Sequence, residues 1–592
     1  MGVERAGLPT LVIHGDDDQI VPVAAGLRTA GRVMGTMQSV DLEAPNGITE
    51  THKTALDADL LEVFRRERDA RMRSALSTIV PGACAVTLAV TLVLSPGCKV
   101  GPTYQTPPAD VSDAWLDEQA SATAPDQDVR WWRVFGDPVL DALVEEALAE
   151  NLTLRQAGLR VVRARAVRGV AVGRFFPQSQ AAVGSASANK ISGNTPPGAG
   201  DRTFEDYSLG LQAAWELDFW GKFRRGIEST DAALDASVAD YDSALVLLVS
   251  DVASTYVLIR SYEEQLTFTR ANIRSQQDTL DLTKVRLNAG AVSELDVATA
   301  QATLANTQAL EPQLEDGLQQ AKLSLCVLLG RTPSTLEPEL GVGGRVPEPP
   351  AAIALGVPAD LLRRRPDVRR AERFAAALSA QIGVATADLY PSVTIEGLTG
   401  FNVSTSRSGG GTAELGDLLD AKSFEGFVGL SINWPILNYG RIRNNIRVAD
   451  AQYQEAVEAY REQVLRAAGE VEAGLSGLLR GRERAAYLAQ SADAATRTVD
   501  LSLIQYRQGA TDFLRVNQAM VDLAARQNSL VVARAEVALA AIATYRALGG
   551  GWEVRAGREF IPAETIEEMR ARTNWGRVLA PPEAAEREER DD

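Results

Sequence analysis

Two long stretches without proline constrain this chain more than any other feature. Residues 222–288 contain no proline and a single glycine, Gly226, and residues 441–508 also contain no proline. Because a helix rises about 1.5 Å per residue, each stretch predicts a helix of about 100 Å. An average globular helix has only about three to four turns. A compact domain cannot contain such helices, so the sequence predicts an elongated helical assembly.

The apolar residues of the first long helix predict neighbours on two sides. One set has heptad-like spacing and a second set forms another flank: Leu245, Leu248, Val252 and Ile259, then Val249 and Tyr256. A two-stranded coiled coil needs only one apolar seam. Two flanks favour a cylinder of helices over a coiled coil.

Each long helix is expected to reverse into a second one at a glycine. Gly290 precedes a helical stretch at 293–329, and Gly509 precedes one at 511–548. Glycine commonly ends a helix because it adopts positive φ without steric penalty. The sequence therefore predicts two helical hairpins.

The two halves of the chain resemble each other at a constant spacing. The segment "AWELDFWGKFRR" at 214–225 matches "NWPILNYGRIRN" at 433–444. Three pairs share a shift of 219 positions (434 − 215, 440 − 221 and 509 − 290): Trp215 with Trp434, Gly221 with Gly440, and Gly290 with Gly509. "FFPQ" at 175–178 matches "LYPS" at 389–392 with a shift of 214 (391 − 177). An equal shift over such a distance predicts two internal structural repeats.

Before each long helix lies a segment with an apolar residue at every second position. In the first half these are Tyr207, Leu209, Leu211, Ala213, Trp215, Leu217 and Phe219; in the second half they are Val428, Leu430, Ile432, Trp434 and Ile436. This period of two predicts strands with one apolar and one polar face. Such strands suit a transmembrane barrel, and the alternative is the edge of a soluble sandwich. Their expected partners are residues 178–191 and 392–404, and the exposed hairpin loops are expected at 192–202 and 404–412.

The segment before Cys98 has the pattern of a secretory signal. Arg71 and Arg73 precede the apolar run 83–94, and small residues lead up to Cys98. Cleavage there would make Cys98 the acylated N-terminus of a lipoprotein. The alternative is an uncut membrane anchor at 75–96, which is just long enough to span a bilayer.

Charge and composition exclude several classes of protein. The formal net charge of −18 is unlike the basic stripe of a nucleic-acid-binding protein. Both histidines, His14 and His52, precede the signal, so a histidine-based metal or acid–base site is not expected in the exported part. If Cys98 carries lipid, Cys326 is left without a disulfide partner. We expect no cofactor, no metal site and no catalytic residue.

Residues 1–66 resemble the C-terminal end of an α/β-hydrolase of the haloperoxidase or arylesterase type. In that family an aspartate at the position of Asp18 orients the catalytic histidine, whose position here is Asn46. An amide cannot carry the proton, and no G-x-S-x-G elbow precedes it. We interpret this segment as a non-catalytic remnant, with Met72 as the expected initiator.

Four motifs resemble those of outer-membrane efflux lipoproteins of the NodT type, within the TolC-like outer-membrane factor family. They are "CKVGPTYQTP" at 98–107, "WWRVFGDPVLDALVEEAL" at 131–148, "LLGRTP" at 328–333 and "LLRRRPDVRRAE" at 361–372. The resemblance implies a mainly α fold with a β-barrel part. In that family three chains form an α-helical tunnel and share one outer-membrane β-barrel, to which each chain gives four strands.

The same resemblance implies the partners and the functional positions. The partners would be two further copies in a homotrimer, a periplasmic adaptor, an inner-membrane transporter of the RND type and outer-membrane lipid, with no nucleic acid. The gate and adaptor-docking tip would include Gly290, Leu295, Asp296, Gly509, Leu514 and Gln518, and the barrel–tunnel junction Trp215, Gly221, Trp434 and Gly440.

Three acidic positions leave alternatives open. Glu216 and Asp218 either line the lumen near the membrane end or are simply solvated. Asp296 either contributes to an acidic constriction or starts a helix, where carboxylates are favoured. Relatives often carry an aspartate at the position of Gln518, so a second acidic ring is in doubt.

The resemblance to this family implies a passive outer-membrane exit duct for small molecules, with a type I protein secretion duct as the alternative. The expected regions are a hydrolase-like remnant (1–66), a signal peptide (72–97), an extended segment (98–130), a first repeat (131–330), an equatorial linker (331–358), a second repeat (359–552) and a charged, mobile tail (553–592).

Overall fold

The computed structural model describes eleven ranges of the chain: 98–109, 111–112, 114–116, 121–122, 129–194, 201–341, 343–350, 353–354, 363–405, 413–556 and 558–579. The hydrolase-like segment with Asp18 and Asn46 lies outside these residues, as does the predicted signal peptide.

The described chain contains eight main helices and a four-stranded sheet. In the first half these are α1 (Pro138–Glu150), α2 (Leu152–Gly173), β1 (Ser179–Lys190), β2 (Thr203–Leu217), α3 (Lys222–Asn288) and α4 (Glu294–Leu328). In the second half they are α5 (Pro366–Ala387), β3 (Ser392–Ser404), β4 (Phe424–Asn433), α6 (Arg441–Arg507), α7 (Phe513–Ala547) and α8 (Ala563–Arg572).

Shorter elements connect or flank the main ones. Helical turns are Trp131–Phe135, Glu337–Leu340, Leu415–Asp417, Ala421–Ser423, Trp552–Arg555 and Gly576–Leu579. Ser121–Ala122 pairs in parallel with Ile353–Ala354.

The helices of the two halves have matching lengths. Helices α3 and α6 each contain 67 residues, α4 and α7 each contain 35, and α2 and α5 each contain 22. The two long helices agree with the proline-free stretches to within one residue. Polar side chains start the shorter helices, since Asp137 accepts the Val139 amide and Asn151 accepts the Leu154 amide.

The four strands form one antiparallel sheet in the order β1-β2-β3-β4. Ser179 pairs with Ala214, Leu217 with Val393, and Ser392 with Asn433. The β2–β3 pairing joins a hairpin from the first half to one from the second. Within the described residues β1 and β4 are the sheet edges, and each has one side without a partner strand.

Two predicted strands end earlier than their alternating pattern suggested. Strand β2 ends at Leu217 rather than Phe219, because Asp218 turns away to bind the start of α3. Strand β4 ends at Asn433, and Trp434 and Ile436 lie beyond it. Pro435 cannot donate a ladder hydrogen bond, which explains the second early end.

The main hydrophobic core surrounds the middle of α3. Leu245, Val249 and Tyr256 are almost completely buried there against α1, α4, α6 and α7. The most apolar 18-residue window of α3 has a mean hydropathy of 1.6, yet 61% of it is buried within the chain. This apolar window is therefore largely core.

Part of the predicted equatorial linker also packs on this core. Leu336, Leu340 and Val346 are buried, and the Leu340 carbonyl accepts a hydrogen bond from Arg260 at 2.8 Å. Glu264 accepts the Val346 amide at 3.1 Å. The described part of the linker is thus fixed to α3.

The expectation of a mobile tail is wrong for residues 558–579. Ile561, just before α8, Met569 within it and Leu579 in the turn after it are buried against Val162 of α2. The segment can approach α2 because residue 158 is glycine, whose position leaves no room for a Cβ beside the Phe560 carbonyl. Alternating charges in the sequence concealed these apolar contacts.

Candidate functional site

The junction between sheet and long helices places the two predicted tryptophans in corresponding contacts. The Trp215 indole donates to the Phe175 carbonyl at 3.1 Å, and the Trp434 indole donates to the Leu389 carbonyl at 3.0 Å. Trp215 and Trp434 belong to the pairs separated by 219 positions, whereas Phe175 and Leu389 are separated by 214. Each indole therefore ties the end of a strand to the turn after the preceding helix.

The two junction glycines begin the long helices with a left-handed backbone. Gly221 has φ +75° and Gly440 has φ +82°, conformations that favour glycine. A Cβ on Gly221 would lie 3.0 Å from the Cα of Lys99, whereas the nearest atom at Gly440 is 3.7 Å away. The first junction is thus covered by the N-terminal segment and the second is more open.

Asp218 caps α3. Neither alternative that the sequence left open for this residue, lining the lumen or simple solvation, describes its position. Its carboxylate accepts the amides of Phe223 and Arg224 and the Arg224 side chain, each at 3.0 Å. The Asp218 side chain is only 6% exposed. Gly221 has no side chain with which to cap the helix, so Asp218 supplies the acceptors from three residues earlier.

Lys222 adds a positive charge to the same junction. Burial disfavours the charged form of its amine, but the ion pair with Asp388 at 2.9 Å outweighs that effect. The charges of Glu216 and Asp218 act in the same direction. The pKa of Lys222 is therefore raised above its usual value, and the amine stays charged.

Arg225 fixes the N-terminal segment to this junction, a role that the sequence analysis missed. The side chain is 2% exposed and donates to the carbonyls of Val100 and Gly101, both at 3.0 Å. The Val100 amide donates to the Trp220 carbonyl at 3.1 Å. Cys98, two residues earlier, is exposed. Arg225 corresponds to Asn444 in the second half (444 − 225 = 219), and this break in the repeat was the available signal.

The sheet exposes the apolar side chains that alternate along its strands. Leu209 and Leu211 are 49% and 61% exposed, and Val428, Leu430 and Ile432 are 83%, 58% and 65% exposed. No described element covers this face. Within the described residues, this apolar face and the unpartnered edges of β1 and β4 are exposed together.

At the other end of the long helices, the two hairpin turns have the same geometry. Gly290 has φ +71° and Gly509 has φ +75°. The amide after each glycine donates back to the helix, from Ala291 to the Arg286 carbonyl and from Ala510 to the Gln505 carbonyl. Both glycines therefore end their helices as the sequence predicted.

Asp296 makes the contacts of a helix start. Its carboxylate accepts both the amide and the hydroxyl of Ser293 at 2.9 Å. In the second hairpin Asp512 accepts the Arg515 amide at 3.1 Å, and Gln518 donates to Asp522 at 3.1 Å. Of the two interpretations of Asp296, this geometry favours the helix start.

Leu295 and Leu514 are exposed beside these turns. Leu295 is 74% exposed and Leu514 is 65% exposed. They are separated by 219 positions (514 − 295), and each lies in the first turn of its helix. The two hairpins thus present an apolar side chain at the same place.

Residues that could hold a metal ion are not brought together in the part of the chain that the structure describes. No group of three or more His, Cys, Asp or Glu side chains has a suitable arrangement there. Cys326 is buried in the core and contacts Ser334 at 3.7 Å.

Comparison with known proteins defines the class of this fold. The solved structure titled "Structural insights of the outer-membrane channel OprN" matches with a TM-score of 0.71 and 35% identity, covering 77% of this chain and 100% of that one. The fold is mainly helical with a few antiparallel strands, and it is that of an outer-membrane channel rather than of an enzyme.

The sequence comparisons identify the family. The family described as "Outer membrane efflux protein" matches residues 143–331 and 357–550. Nodulation protein T of Rhizobium leguminosarum bv. trifolii is 33% identical over 468 residues, covering 78% of this chain and 96% of the relative. The pyoverdine export outer membrane protein OpmQ of Pseudomonas putida is 30% identical over 451 residues, covering 76% and 92%. The chain belongs to the outer membrane efflux protein family, and its location is the outer membrane.

Proposed function

We propose that this chain is the outer-membrane channel of a tripartite efflux system, a passive duct for small molecules. The observation that carries the proposal is the exposed apolar face of the four-stranded sheet at one end of two 67-residue helices. The sheet suits lipid, and the helices, each about 100 Å long, suit a conduit through the periplasm.

Closure of the barrel requires further copies of the chain. A four-stranded sheet has two open edges, and open edges are not tolerated in lipid. Three copies would pair β4 of each chain with β1 of the next and close a barrel of twelve strands. The homotrimer is part of the proposal and is supported by the resemblance to the TolC-like family.

Two structural repeats build each copy. The starts of α3 and α6 differ by 219 positions (441 − 222), as do those of α4 and α7 (513 − 294). The starts of α2 and α5 differ by 214 (366 − 152). These spacings, already present between the sequence motifs, support a repeat of helix, hairpin, long helix and second helix.

Cys98 is the proposed lipid attachment site. Its neighbours are held to the junction by Arg225, and Lys99 forms an ion pair with Glu228. Burial disfavours the charged form of the Glu228 carboxyl, but the bonds from Lys99 and Arg225 keep its pKa below the usual value. An acyl chain on Cys98 would therefore start beside the membrane end of the helices.

The hairpin tips are the proposed site of the gate and of adaptor docking. Leu295 and Leu514 supply apolar contacts, and Gly290 and Gly509 supply the turns that present them. Gln518 is uncharged, so this position supplies no carboxylate for a second acidic ring. The adaptor and an inner-membrane transporter would complete the system.

The proposed cargo is a small solute. One relative is named for pyoverdine export, which supports small-molecule transport for this chain as well. A protein secretion duct makes the opposite prediction about the cell. Deleting the gene should lower resistance to toxic compounds and leave the secreted proteome unchanged; the reverse result would favour the secretion duct.

The tip contact can be tested in the same strain. Complementation with Leu295→Asp combined with Leu514→Asp should leave the chain assembled in the outer membrane but fail to restore resistance, because a carboxylate disfavours an apolar contact. Val327→Asp is the matched control, since Val327 is also 74% exposed and lies at the other end of α4. Full resistance with the double variant would contradict docking at the tips.

Lipidation has a separate test. Intact mass and N-terminal peptide mapping of the protein from isolated outer membranes should give a chain that begins at acylated Cys98. A chain that retains residues 1–66 would contradict the proposed processing.

A further inference from the structure

A cavity of about 590 Å³ lies in the helical part of the chain, between α3, α4 and α7. Small-molecule sites typically have volumes of about 300–1,000 Å³. None of the junction or tip residues lines the cavity, although Thr303 and Val521 of its lining follow Leu295 and Leu514 by eight and seven residues (303 − 295 and 521 − 514). It therefore requires its own explanation.

Two residues of α4 shape its packing beside the cavity. Pro312 lies inside the helix, where it lacks the amide that would bind the Gln308 carbonyl and where a proline ring bends a helix. Gly317, five residues further on, lets α4 pack closely on α3, because a Cβ at that position would lie 2.8 Å from the Tyr262 ring. The cavity lies beside this irregular part of α4, and Leu310, Gln313 and Leu314 belong to its lining.

Two ion pairs from one arginine hold the same segment of α4 to α3. Arg270 of α3 binds Glu311 and Glu315, each at 2.6 Å, and Glu311 directly precedes Pro312. All three charged side chains are partly exposed and none of them lines the cavity. The three charged side chains thus pair with one another outside the cavity, and its lining contains no charged residue.

The described residues that line the cavity are all uncharged. Tyr262 and Phe268 supply aromatic surface. The side-chain amides of Asn306, Gln313 and Asn528 also line it; these residues are exposed, and no hydrogen bond joins their side-chain amides to other described residues. A charged ligand would lose its hydration without gaining a counter-ion here. The lining therefore suits a neutral molecule with an aromatic body and hydrogen-bonding groups.

One chain supplies the walls of this cavity, and its mouth is open, since Leu310 and Val521 are 47% and 43% exposed. Helix α3 packs against α4 and against α7, and all three helices contribute to the lining. Asn272 of α3 also donates to Gln527 of α7 at 2.9 Å, which holds two of the walls together. No residue from a second copy is needed to form the walls.

We propose that this cavity is a binding site for a neutral, drug-sized aromatic molecule with hydrogen-bonding groups. The site goes beyond the proposed duct, since a passive conduit needs no binding site in its wall. A binding measurement tests it without any transport step, so its failure and the failure of the duct are distinguishable.

The experiment uses the mature full-length protein in lipid nanodiscs and 7-amino-4-methylcoumarin, a neutral fluorescent aromatic amine. Equilibrium dialysis measures binding, with empty nanodiscs as the background. We expect saturable binding of one molecule per chain. Coumarin-3-carboxylate, the charged analogue, should bind at least tenfold more weakly because the lining offers no cation.

Filling the cavity provides the decisive variant. Ala525→Trp places a large side chain in the lining of α7 and should weaken binding at least tenfold. Ala305→Trp is the control, because Ala305 is exposed on α4 and does not line the cavity; its binding should stay within twofold. Val521→Trp fills the same cavity if the first variant does not fold. Absence of saturable binding to the native chain, or equal binding by a folded cavity-filling variant, would overturn the proposal.

Discussion

Arg286, near the end of α3, lies over the ring of Tyr506, near the end of α6, with 4.4 Å between its Cζ atom and the ring centroid. The guanidinium also donates to the Tyr506 carbonyl. A cation–π contact contributes about 0.5–2 kcal/mol, depending on exposure. This contact joins the tips of the two long helices, and the sequence analysis did not find it.

Loss of this contact should loosen the tips. Arg286→Gln and Tyr506→Leu are each expected to raise amide hydrogen exchange around both hairpin turns, because the two long helices lose their link there. Hydrogen exchange with mass spectrometry measures the change. Tyr506→Phe is the control, since the Tyr506 hydroxyl is buried without a hydrogen-bond partner among the described residues. Unchanged exchange in Arg286→Gln would contradict the role of the contact.

Gly158 should be required for docking of the C-terminal segment. A Cβ at this position would lie 2.0 Å from the Phe560 carbonyl oxygen, so Gly158→Ala must displace the segment from α2. Limited proteolysis should then cut between residues 553 and 579 at least tenfold faster. Gly169→Ala on the same helix has open space around it. That control should keep the segment protected and stabilise α2 by up to about 1 kcal/mol.

Asp218→Ala should destabilise the start of α3. The variant leaves two backbone amides and the Arg224 side chain without their acceptor. Loss of a helix cap costs about 0.5–2 kcal/mol, measurable by thermal unfolding of the purified protein. Asp218→Asn keeps one oxygen acceptor and should lose less. If the Asp218→Ala variant has the same unfolding temperature as the native protein, the carboxylate does not stabilise the helix.

Asp367 should make stability depend on acidic pH. Burial opposes its ionisation, but hydrogen bonds and charge from Arg365 outweigh this, so its pKa lies below the usual value. An acid with a lowered folded pKa stabilises the protein above its unfolded pKa of about 3.9. That stabilisation is lost as pH falls through the folded pKa.

Asp367→Asn tests this dependence by chemical denaturation at pH 7 and pH 3. The variant should lose about 1.5–3 kcal/mol at pH 7, typical of a hydrogen bond to a charged group, and less at pH 3. Glu462→Gln is the control, because its ion pair with Arg466 is exposed on both sides. An equal loss at both pH values would show that the carboxylate charge is not responsible.

Much of the fold followed from local patterns. The absence of proline over 67 residues and the glycines at 290 and 509 predicted the long helices and their reversals, because helix continuity and termination depend mainly on nearby residues. Strands β2 and β4 followed from alternation, and β1 and β3 lie where their partners were expected. Asp218 and Pro435 ended two strands early, since capping and a missing amide overrode the apolar pattern.

The candidate site was predicted only where it repeats. Trp215, Trp434 and the four glycines were found because both halves carry them at one spacing. Arg225 and Arg286 have no equivalent arginine in the other half, and their partners lie far away in sequence. The break in the repeat is the signal that the sequence offers for Arg225, whereas the backbone carbonyls that these arginines bind cannot be read from the sequence.

The sequence by itself determined the helices, the alternating strands and the repeat, because each depends on spacing along the chain. Only the tertiary structure decided that Asp218 is a cap, that residues 558–579 pack on α2, and that Pro312 lies beside an uncharged cavity. These features depend on which surfaces meet in space, and contacts between distant residues are set by packing of the whole chain rather than by any local preference.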